Sequence, residues 1–289
     1  MVTARTALVF GASGQVGAAL LARLLDAGWD VTAVSRQARG DGERLHWLRG
    51  ELAAPPAMPR ACDAVFSGGP LDLFSAWYAG SAIECPRLVA FGSTSMHAKR
   101  GSEDAGEREL AARLQASEER LLQAAGARGA AATVLRPTLV YGAGRDASLT
   151  RIARLAARAG FFPLPRGATG LRQPVHVDDL AAAAMAAVEG SAASGRGYDL
   201  PGGETLPYRE MVARVLAALA PQPRLVELPA PLFRLALAAA RASGRLQDMP
   251  AGAIARMRED LVFDAAPARR DLGYAPRAFN PTAAMFTPQ

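Results

Sequence analysis

Short apolar runs alternate with amphipathic helical segments from the N-terminus to about residue 200. The apolar runs that predict β-strands are Ala7–Phe10, Val31–Val34, His46–Leu48, Ala64–Phe66, Leu88–Phe91, Thr133–Val140 and Tyr198–Leu200. The helices predicted between them include Gln15–Ala27, Glu107–Ala125 and Asp179–Val188. Because parallel neighbours need long crossover connections, this alternation predicts a parallel sheet covered on both faces. Right-handed crossovers then give a doubly wound α/β fold of the Rossmann type.

Two stretches of the chain, 148–177 and 202–289, show a different pattern of short helices broken by prolines. The helices predicted there include Tyr208–Leu219 and Leu232–Arg241. We expect these stretches to form an interleaved, smaller and mainly helical lobe, and residues 1–147 and 178–201 to form the Rossmann domain. The lobe is expected over the carboxyl ends of the strands, where open α/β sheets bind ligands.

The composition is that of a globular protein without a nucleic-acid-binding pattern. Half of the 289 residues are hydrophobic, which is ample for a buried core. The formal net charge is +6, but the positive charge is arginine scattered singly, and Lys99 is the only lysine. No basic run follows a phosphate backbone, so we predict no nucleic-acid partner.

The cysteine and histidine residues do not have the spacing of a metal site. Cys62 and Cys85 are too few and too far apart for a disulfide framework or a metal cluster, and reduced thiols are expected. His46, His97 and His176 lack metal-ligand spacing, so no zinc site is predicted.

The apolar segments are too short to direct the chain into or across a membrane. The first one, Thr6–Phe10, runs directly into glycines, which fits a strand and not a signal peptide. The longest uncharged apolar run, Leu180–Val188, is well short of the ~18 residues that a membrane span needs. We therefore expect a cytoplasmic protein with no membrane span.

A glycine-rich turn, Gly11–Gly17, follows the first predicted strand and opens a helix. Glycine at position 11 allows a sharp turn, Gly14 allows the backbone to approach a pyrophosphate, and Gly17 allows the helix to lie close to the sheet. The unpaired N–H groups of the helix then face the pyrophosphate. The alternative is a tight strand-to-helix turn that binds no ligand.

The end of the second predicted strand indicates which dinucleotide binds. NAD-specific sites usually carry an acidic residue roughly 20 residues after the glycines, to hold the ribose 2′-hydroxyl. Here Ser35 and Arg36 occupy this place, Arg39 is close behind, and no carboxylate follows before Asp41. An arginine suits a 2′-phosphate, so we predict NADP in preference to NAD. The alternative is an ordinary surface arginine.

Further motifs follow in a fixed order along the chain. They are Gly50–Leu52, Asp63–Phe66, Leu135–Pro137 with Tyr141–Gly142, Arg172–Asp179 and Tyr198–Glu204. With the glycine spacing, this ordered set resembles the extended and atypical short-chain dehydrogenase/reductases, the NAD(P)-dependent epimerase/dehydratase-like family, over nearly the whole chain. The stretch Arg136–Asp179 also resembles the non-catalytic NADPH-binding subunit of respiratory complex I.

The resemblance implies a set of binding residues. Those implied for the cofactor are Gly11, Ser13, Gly14, Gln15, Val16, Gly17, Ser35, Arg36, Glu51, Ser67, Gly68 and Pro137. Those implied for a small-molecule substrate, sugar-like or anionic, are Tyr141, Arg172, Gln173 and His176. Relatives often dimerise through helices that include the one at Glu107–Ala125, so a homodimer is a further expectation.

The catalytic pair of the family has no counterpart in this sequence. Active members carry Tyr-x-x-x-Lys after the fifth strand, where the tyrosine transfers a proton and the lysine lowers its pKa, and a Ser or Thr orients the substrate oxygen. Thr94 is the candidate hydroxyl. Alignment on Glu119 places Ala111 at the tyrosine position and Gln115 at the lysine position, and Lys99 has no tyrosine four residues before it.

Another group would have to replace the pair if the protein is an enzyme. His97 is near Thr94, and histidine is the side chain that most often changes charge near neutral pH; the alternative is a partly exposed loop histidine. Asp178 and Asp179 are expected to cap a helix that begins at Leu180. Two hypotheses follow: an NADP-dependent oxidoreductase or epimerase-like enzyme with an altered proton donor, and a non-catalytic NADPH-binding sensor or assembly protein.

Overall fold

The structure is a computed structural model that describes residues 4–190, 193–242 and 256–287. Its strands are β1 (Thr6–Phe10), β2 (Asp30–Ser35), β3 (Leu45–Arg49), β4 (Ala64–Ser67), β5 (Arg87–Phe91), β6 (Ala131–Pro137), β7 (Val140–Tyr141), β8 (Phe161–Pro165), β9 (Leu171–Arg172), β10 (Val175–His176), β11 (Arg196–Leu200), β12 (Leu206–Pro207) and β13 (Arg224–Leu228). Its helices are α1 (Gln15–Asp26), α2 (Leu71–Gly80), α3 (Ser95–Ala98), α4 (Ala105–Ala127), α5 (Leu149–Ala159), α6 (Val177–Glu189), α7 (Tyr208–Ala217), α8 (Ala230–Ala242) and α9 (Ala266–Leu272), followed by a 3₁₀ turn at Ala283–Phe286.

Seven strands form one parallel sheet in the order β11-β6-β5-β4-β1-β2-β3. Helices α1 and α6 pack together on one face, and α2 and α4 pack together on the other. Alternate residues of β1 serve the two faces: Leu8 and Phe10 join the cluster under α2 and α4, and Val9 joins the cluster under α1 and α6. This confirms the predicted doubly wound Rossmann-type fold.

The predicted strand Thr133–Val140 is two strands in the structure. Strand β6 ends at Pro137, opposite Leu200 of β11, and the Thr138 amide makes the last bond of this ladder by donating to the Leu200 carbonyl (3.3 Å). Strand β7 then pairs with β10, away from the main sheet. The interruption of the apolar run by Arg136, Pro137 and Thr138 marks the place where the partner changes.

Helices α5 and α7 share a hydrophobic cluster of their own with strands β8 and β12. It includes Leu149, Ala156, Met211, Val215 and Phe279. Strand β8 pairs with β13 in parallel, and β9 pairs with β12 antiparallel. The pairing of β8 was not predicted, since its two prolines obscure a strand, yet prolines are tolerated on edge strands. Within the described ranges, no helix has both the length and the apolar character needed to cross a bilayer.

The two cysteines are free thiols at the amino-terminal end of the sheet. Cys62 lies two residues before the start of β4, and Cys85 lies two residues before the start of β5. Burial raises the pKa of Cys62 to about 12 and that of Cys85 to about 11. Both thiols are therefore protonated and poorly nucleophilic at neutral pH.

A buried ion pair joins α4 to the sheet. Arg136 of β6 donates from Nε to Glu118 Oε2 (2.8 Å) and from Nη2 to Glu118 Oε1. The side chains of Arg136 and Glu118 are only 15% and 7% exposed. A bidentate pair satisfies both charges, but a buried charge that loses its partner is strongly destabilising.

We expect Glu118→Ala to lower the free energy of unfolding by about 3 kcal/mol, because it leaves the Arg136 guanidinium in the interior with only part of its compensation. The neighbouring Glu119 is exposed and accepts a hydrogen bond from Gln115 (3.0 Å), so Glu119→Ala is a matched control that should cost about 0.5 kcal/mol or less. Urea unfolding of the three proteins measures both values. Equal losses in the two variants would show that the buried pair does not hold α4 to the sheet.

Candidate functional site

The predicted site residues lie along the carboxyl edge of the parallel sheet. Gly11 follows β1, Ser35 ends β2, Ser67 ends β4, Thr94 follows β5, and Pro137 ends β6. Because all seven strands run in the same direction, these ends meet at one edge. The switch in strand order falls between β1 and β4, where open α/β sheets bind their ligands.

The glycine turn brings α1 very close to the end of β1. Gly11 has a φ of +68°, a left-handed conformation that favours glycine, and its carbonyl accepts the Gly14 amide (2.8 Å). A Cβ atom on Gly17 would collide with the Gly11 carbonyl oxygen. Helix α1 begins at Gln15 with Gly14 as its N-cap, and no side chain among the described residues caps it. The first N–H groups of α1 therefore point out of the turn, as an anion site requires.

The surroundings of the turn also fit a dinucleotide. The Gln15 Oε1 atom is buried and has no hydrogen-bond partner among the described residues, and a buried acceptor without a donor is costly unless a ligand supplies one. A Cβ atom on Gly11 would approach the Gly68 carbonyl carbon to 2.8 Å, so the backbones after β1 and β4 form a narrow cradle. Ser13 offers its carbonyl to Arg145 (2.6 Å), and the Val16 side chain packs into the core.

The end of β2 presents one exposed cation. Ser35 is buried, and its hydroxyl accepts the Gln37 amide (3.2 Å). Arg36 is exposed and makes no hydrogen bond, ion pair or ring contact within the described part of the chain. Arg39, by contrast, lies 5.1 Å above the Trp47 ring. Glu51 is exposed in the loop that follows β3.

Thr94 lies against the end of β6. Its amide and its hydroxyl both donate to the Pro137 carbonyl, at 3.2 and 3.1 Å. Only 6% of Thr94 is exposed. If the hydroxyl turned toward a ligand, the Pro137 carbonyl would keep the amide hydrogen bond, so the hydroxyl can change partner without leaving an unpaired carbonyl.

His97 lies one helical turn beyond Thr94, on α3. Its Nε2 atom is 3.3 Å from Asp199 Oδ1, and 44% of its side chain is exposed. Its ring centroid is 6.3 Å from that of Phe263. The sequence reasoning did not single out Asp199, which the register of β11 places opposite Arg136 of β6.

Helix α4 contains no tyrosine or lysine. Ala111, at the tyrosine position of the alignment, is buried, and Gln115, at the lysine position, is exposed. The glutamate that faces the sheet is Glu118 and not Glu119. Whether the family motif is aligned on Glu118 or on Glu119, no amine or phenol lies on the inner face of this helix.

Two residues predicted to bind substrate hold a segment of the chain instead of facing open space. Arg172 Nη1 donates to the Glu259 carbonyl (2.8 Å), and Gln173 Oε1 accepts the Phe263 amide (2.8 Å). They fasten residues 256–263, which we call the strap. Arg172 and Gln173 are 5% and 8% exposed, so a direct contact with substrate stays a prediction.

Tyr141 and His176 form a buried aromatic pair near the strap. Their ring centroids are 5.1 Å apart at an interplanar angle of 81°, and Phe279 packs on the other side of Tyr141 at 4.9 Å. Burial raises the pKa of Tyr141 to about 12, so its hydroxyl is protonated at neutral pH. A direct contact of Tyr141 and His176 with substrate also stays a prediction.

The cap of α6 differs from the prediction. The helix begins at Val177, and His176 Nδ1 accepts the Asp178 amide (3.2 Å), so the cap is His176 and the expectation of an aspartate cap was wrong. Burial lowers the pKa of His176, which favours the neutral imidazole that can accept this hydrogen bond. Asp179 pairs with Arg277 at 2.9 Å.

Two characterised proteins are similar to this chain in sequence. The 2-alkyl-3-oxoalkanoate reductase of Stenotrophomonas maltophilia (strain K279a) is 28% identical, over 93% of this chain and 94% of that protein. The mitochondrial NADH dehydrogenase [ubiquinone] 1 alpha subcomplex subunit 9 of Arabidopsis thaliana is 35% identical over 111 residues, which are 38% of this chain and 27% of that protein.

A solved structure shares the fold over nearly the whole length. The UDP-glucuronic acid 4-epimerase from Bacillus cereus, in complex with NAD, superposes with a TM-score of 0.70 at 13% identity, over 98% of this chain and 97% of that one. The sequence pattern of the NAD dependent epimerase/dehydratase family matches residues 7–68 and 67–200, which include the glycine turn and every strand of the main sheet. The chain therefore belongs to the NAD dependent epimerase/dehydratase family, whose members bind a nicotinamide cofactor.

Proposed function

We propose that this protein is an NADP-dependent oxidoreductase that reduces a carbonyl group of a small, anionic substrate. The observation that carries the proposal is the exposed guanidinium of Arg36 at the end of β2, which has no partner among the described residues and lies beside a glycine turn that fits a pyrophosphate. The similarity to a reductase of 2-alkyl-3-oxoalkanoates, which are ketones with a carboxylate, supports the choice of substrate class.

The cofactor would lie across the carboxyl edge of the sheet. The residues proposed to hold it are Gly11, Ser13, Gly14, Gln15, Val16, Gly17, Ser35, Arg36, Glu51, Ser67, Gly68 and Pro137. The backbone N–H groups at the start of α1 would hold the pyrophosphate. When bound, the reduced dinucleotide supplies a hydride for the carbonyl carbon.

Arg36 would select the phosphorylated dinucleotide. A guanidinium binds a phosphate through charge-assisted hydrogen bonds, which are about twice as strong as neutral ones. An arginine already engaged by a carboxylate would lose much of this gain, but Arg36 has no such partner among the described residues. Ser35 cannot repel a phosphate, because its side chain is uncharged and bonded to Gln37.

Thr94 would orient the carbonyl oxygen of the substrate. Its hydroxyl donates to the Pro137 carbonyl, which has a second donor in the Thr94 amide. The hydroxyl can therefore rotate to donate to a substrate oxygen, and a donor aimed at an oxygen that gains negative charge stabilises the transition state.

A second candidate function is that of a non-catalytic NADPH-binding protein that senses the cofactor or takes part in an assembly. It is favoured by the absence of tyrosine and lysine from α4 and by the engagement of Arg172 and Gln173 with the strap. The partial similarity to a respiratory-chain subunit agrees with it. A large rise in melting temperature with NADPH, and no turnover of any carbonyl compound, would favour this alternative.

Arg36→Ala is expected to weaken NADPH binding about 30-fold or more and to leave NADH binding nearly unchanged, because only NADPH carries the 2′-phosphate. Isothermal titration calorimetry with each dinucleotide measures both effects. Arg158 is an exposed arginine in the last turn of α5, and Arg158→Ala controls for the loss of one positive charge. The selectivity proposal fails if Arg36→Ala weakens the two dinucleotides equally.

Thr94→Val is expected to lower kcat about 100-fold for reduction of a 3-oxo acid, since it removes a donor to the substrate oxygen while keeping the shape of the side chain. Thr94→Ser retains the hydroxyl and should keep most of the activity. The readout is NADPH oxidation at saturating cofactor, with aldehydes, ketones and nucleotide sugars as further substrates. Full activity in Thr94→Val would remove this residue from the reaction.

A further inference from the structure

A network of four charged or titratable side chains extends from the interior to the carboxyl edge of the sheet. Glu118 pairs with Arg136 through two hydrogen bonds, and Arg136 Nη1 donates to Asp199 Oδ1 (3.2 Å). The same Asp199 oxygen is 3.3 Å from His97 Nε2. The exposed fraction of the side chain rises along this network, from 7% for Glu118 and 15% for Arg136 to 20% for Asp199 and 44% for His97.

Two carboxylates in this network share one guanidinium. Glu118 and Asp199 are two carboxylates, and Arg136 supplies one positive charge. The guanidinium makes two hydrogen bonds to Glu118 and one to Asp199, and the same Asp199 oxygen that accepts from Arg136 also contacts His97.

No other cation among the described residues is placed to neutralise Asp199. Lys99, two residues after His97, lies 3.5 Å from Glu107, and Arg256 of the strap also contacts Glu107. From the strap, His97 faces the uncharged ring of Phe263. Arg100 is the remaining cation next to α3, and it is exposed.

The position of His97 suits a group that delivers a proton to a substrate. It follows Thr94 by one helical turn, and its amide donates to the Thr94 carbonyl (3.0 Å). The imidazole and the Thr94 hydroxyl therefore belong to the same turn, at the start of α3. The imidazole is partly exposed, and it can therefore regain a proton from water. Helix α4 offers no phenol or amine for this task.

We propose that His97 is the proton donor of the reaction and that Asp199, whose carboxylate lies 3.3 Å from the Nε2 atom of His97, is the residue that positions the imidazole. This inference rests on the proposed oxidoreductase function. The carbonyl oxygen of the substrate takes the proton of the His97 imidazolium, while the carbonyl carbon takes the hydride and its electron pair from NADPH. The neutral imidazole then recovers a proton from water, so that charge and atoms balance.

The pairing can be tested on the free protein, without cofactor or substrate. Diethyl pyrocarbonate acylates neutral imidazole, and peptide mass spectrometry distinguishes the three histidines of the chain. We expect Asp199→Asn to make the acylation of His97 about 3- to 10-fold faster at pH 7, because the charged contact at the Nε2 atom is lost. The His46–Asp41 pair, 2.7 Å apart, provides the matched control: Asp41→Asn should affect His46 and leave His97 unchanged. An unchanged rate at His97 in Asp199→Asn overturns the pairing.

The catalytic role requires turnover measurements. His97→Gln should lower kcat about 100-fold or more and leave the calorimetric affinity for NADPH within about twofold. Added imidazole should restore activity to His97→Ala, and Asp199→Asn should lower kcat about 10-fold while KM stays nearly unchanged. His46→Gln, far from this edge, should retain full activity.

The outcomes separate the two proposals. If the wild-type protein oxidises NADPH with a carbonyl substrate but His97→Gln is equally active, His97 is not the donor and the oxidoreductase function stands. If the wild-type protein binds NADPH and reduces none of the carbonyl compounds, the oxidoreductase function fails, and the proton-donor role of His97 fails with it.

Discussion

The parallel direction of the seven main strands is the constraint on which the rest of the site depends. It brings the loops after β1, β2, β4, β5 and β6 to one edge, although they are far apart in the chain. Buried backbone groups must be paired, so these strands cannot shift independently of one another. The glycine turn is fitted to this edge, because the Gly17 backbone lies where a Cβ atom would strike the Gly11 carbonyl.

A second constraint is the charge on the inner face of α4. Arg136 ties Glu118 of this helix to Asp199 of the last sheet strand. A buried arginine that held only a structural pair would need one carboxylate, whereas this one contacts two. The extra carboxylate extends the network toward solvent and ends at His97, which links the interior of the fold to the chemistry proposed at its edge.

Arg172 and Gln173, at the end of β9, contact the strap and do not face an open binding surface. Arg172 is buried and donates to the Glu259 carbonyl of the strap, and Gln173 accepts the Phe263 amide at its Oε1 atom while its Nε2 atom donates to Thr205. These contacts hold Phe263 near His97, so the two residues shape the site indirectly. Buried polar atoms are nearly always paired in this way, which explains why side-chain type alone did not reveal their partners.

The sequence by itself determined the layers of the fold, the position of the glycine turn and the candidate cation Arg36, because these depend on local periodicity and on the special conformations of glycine. It also showed that α4 lacks a tyrosine and a lysine. Only the tertiary structure decided that Asp199 meets His97, that Arg172 and Gln173 are engaged by the strap, and that His176 caps α6. These contacts join residues through strand register and chain crossings, and a local pattern of hydrophobic and polar residues contains no information about which distant groups those crossings bring together.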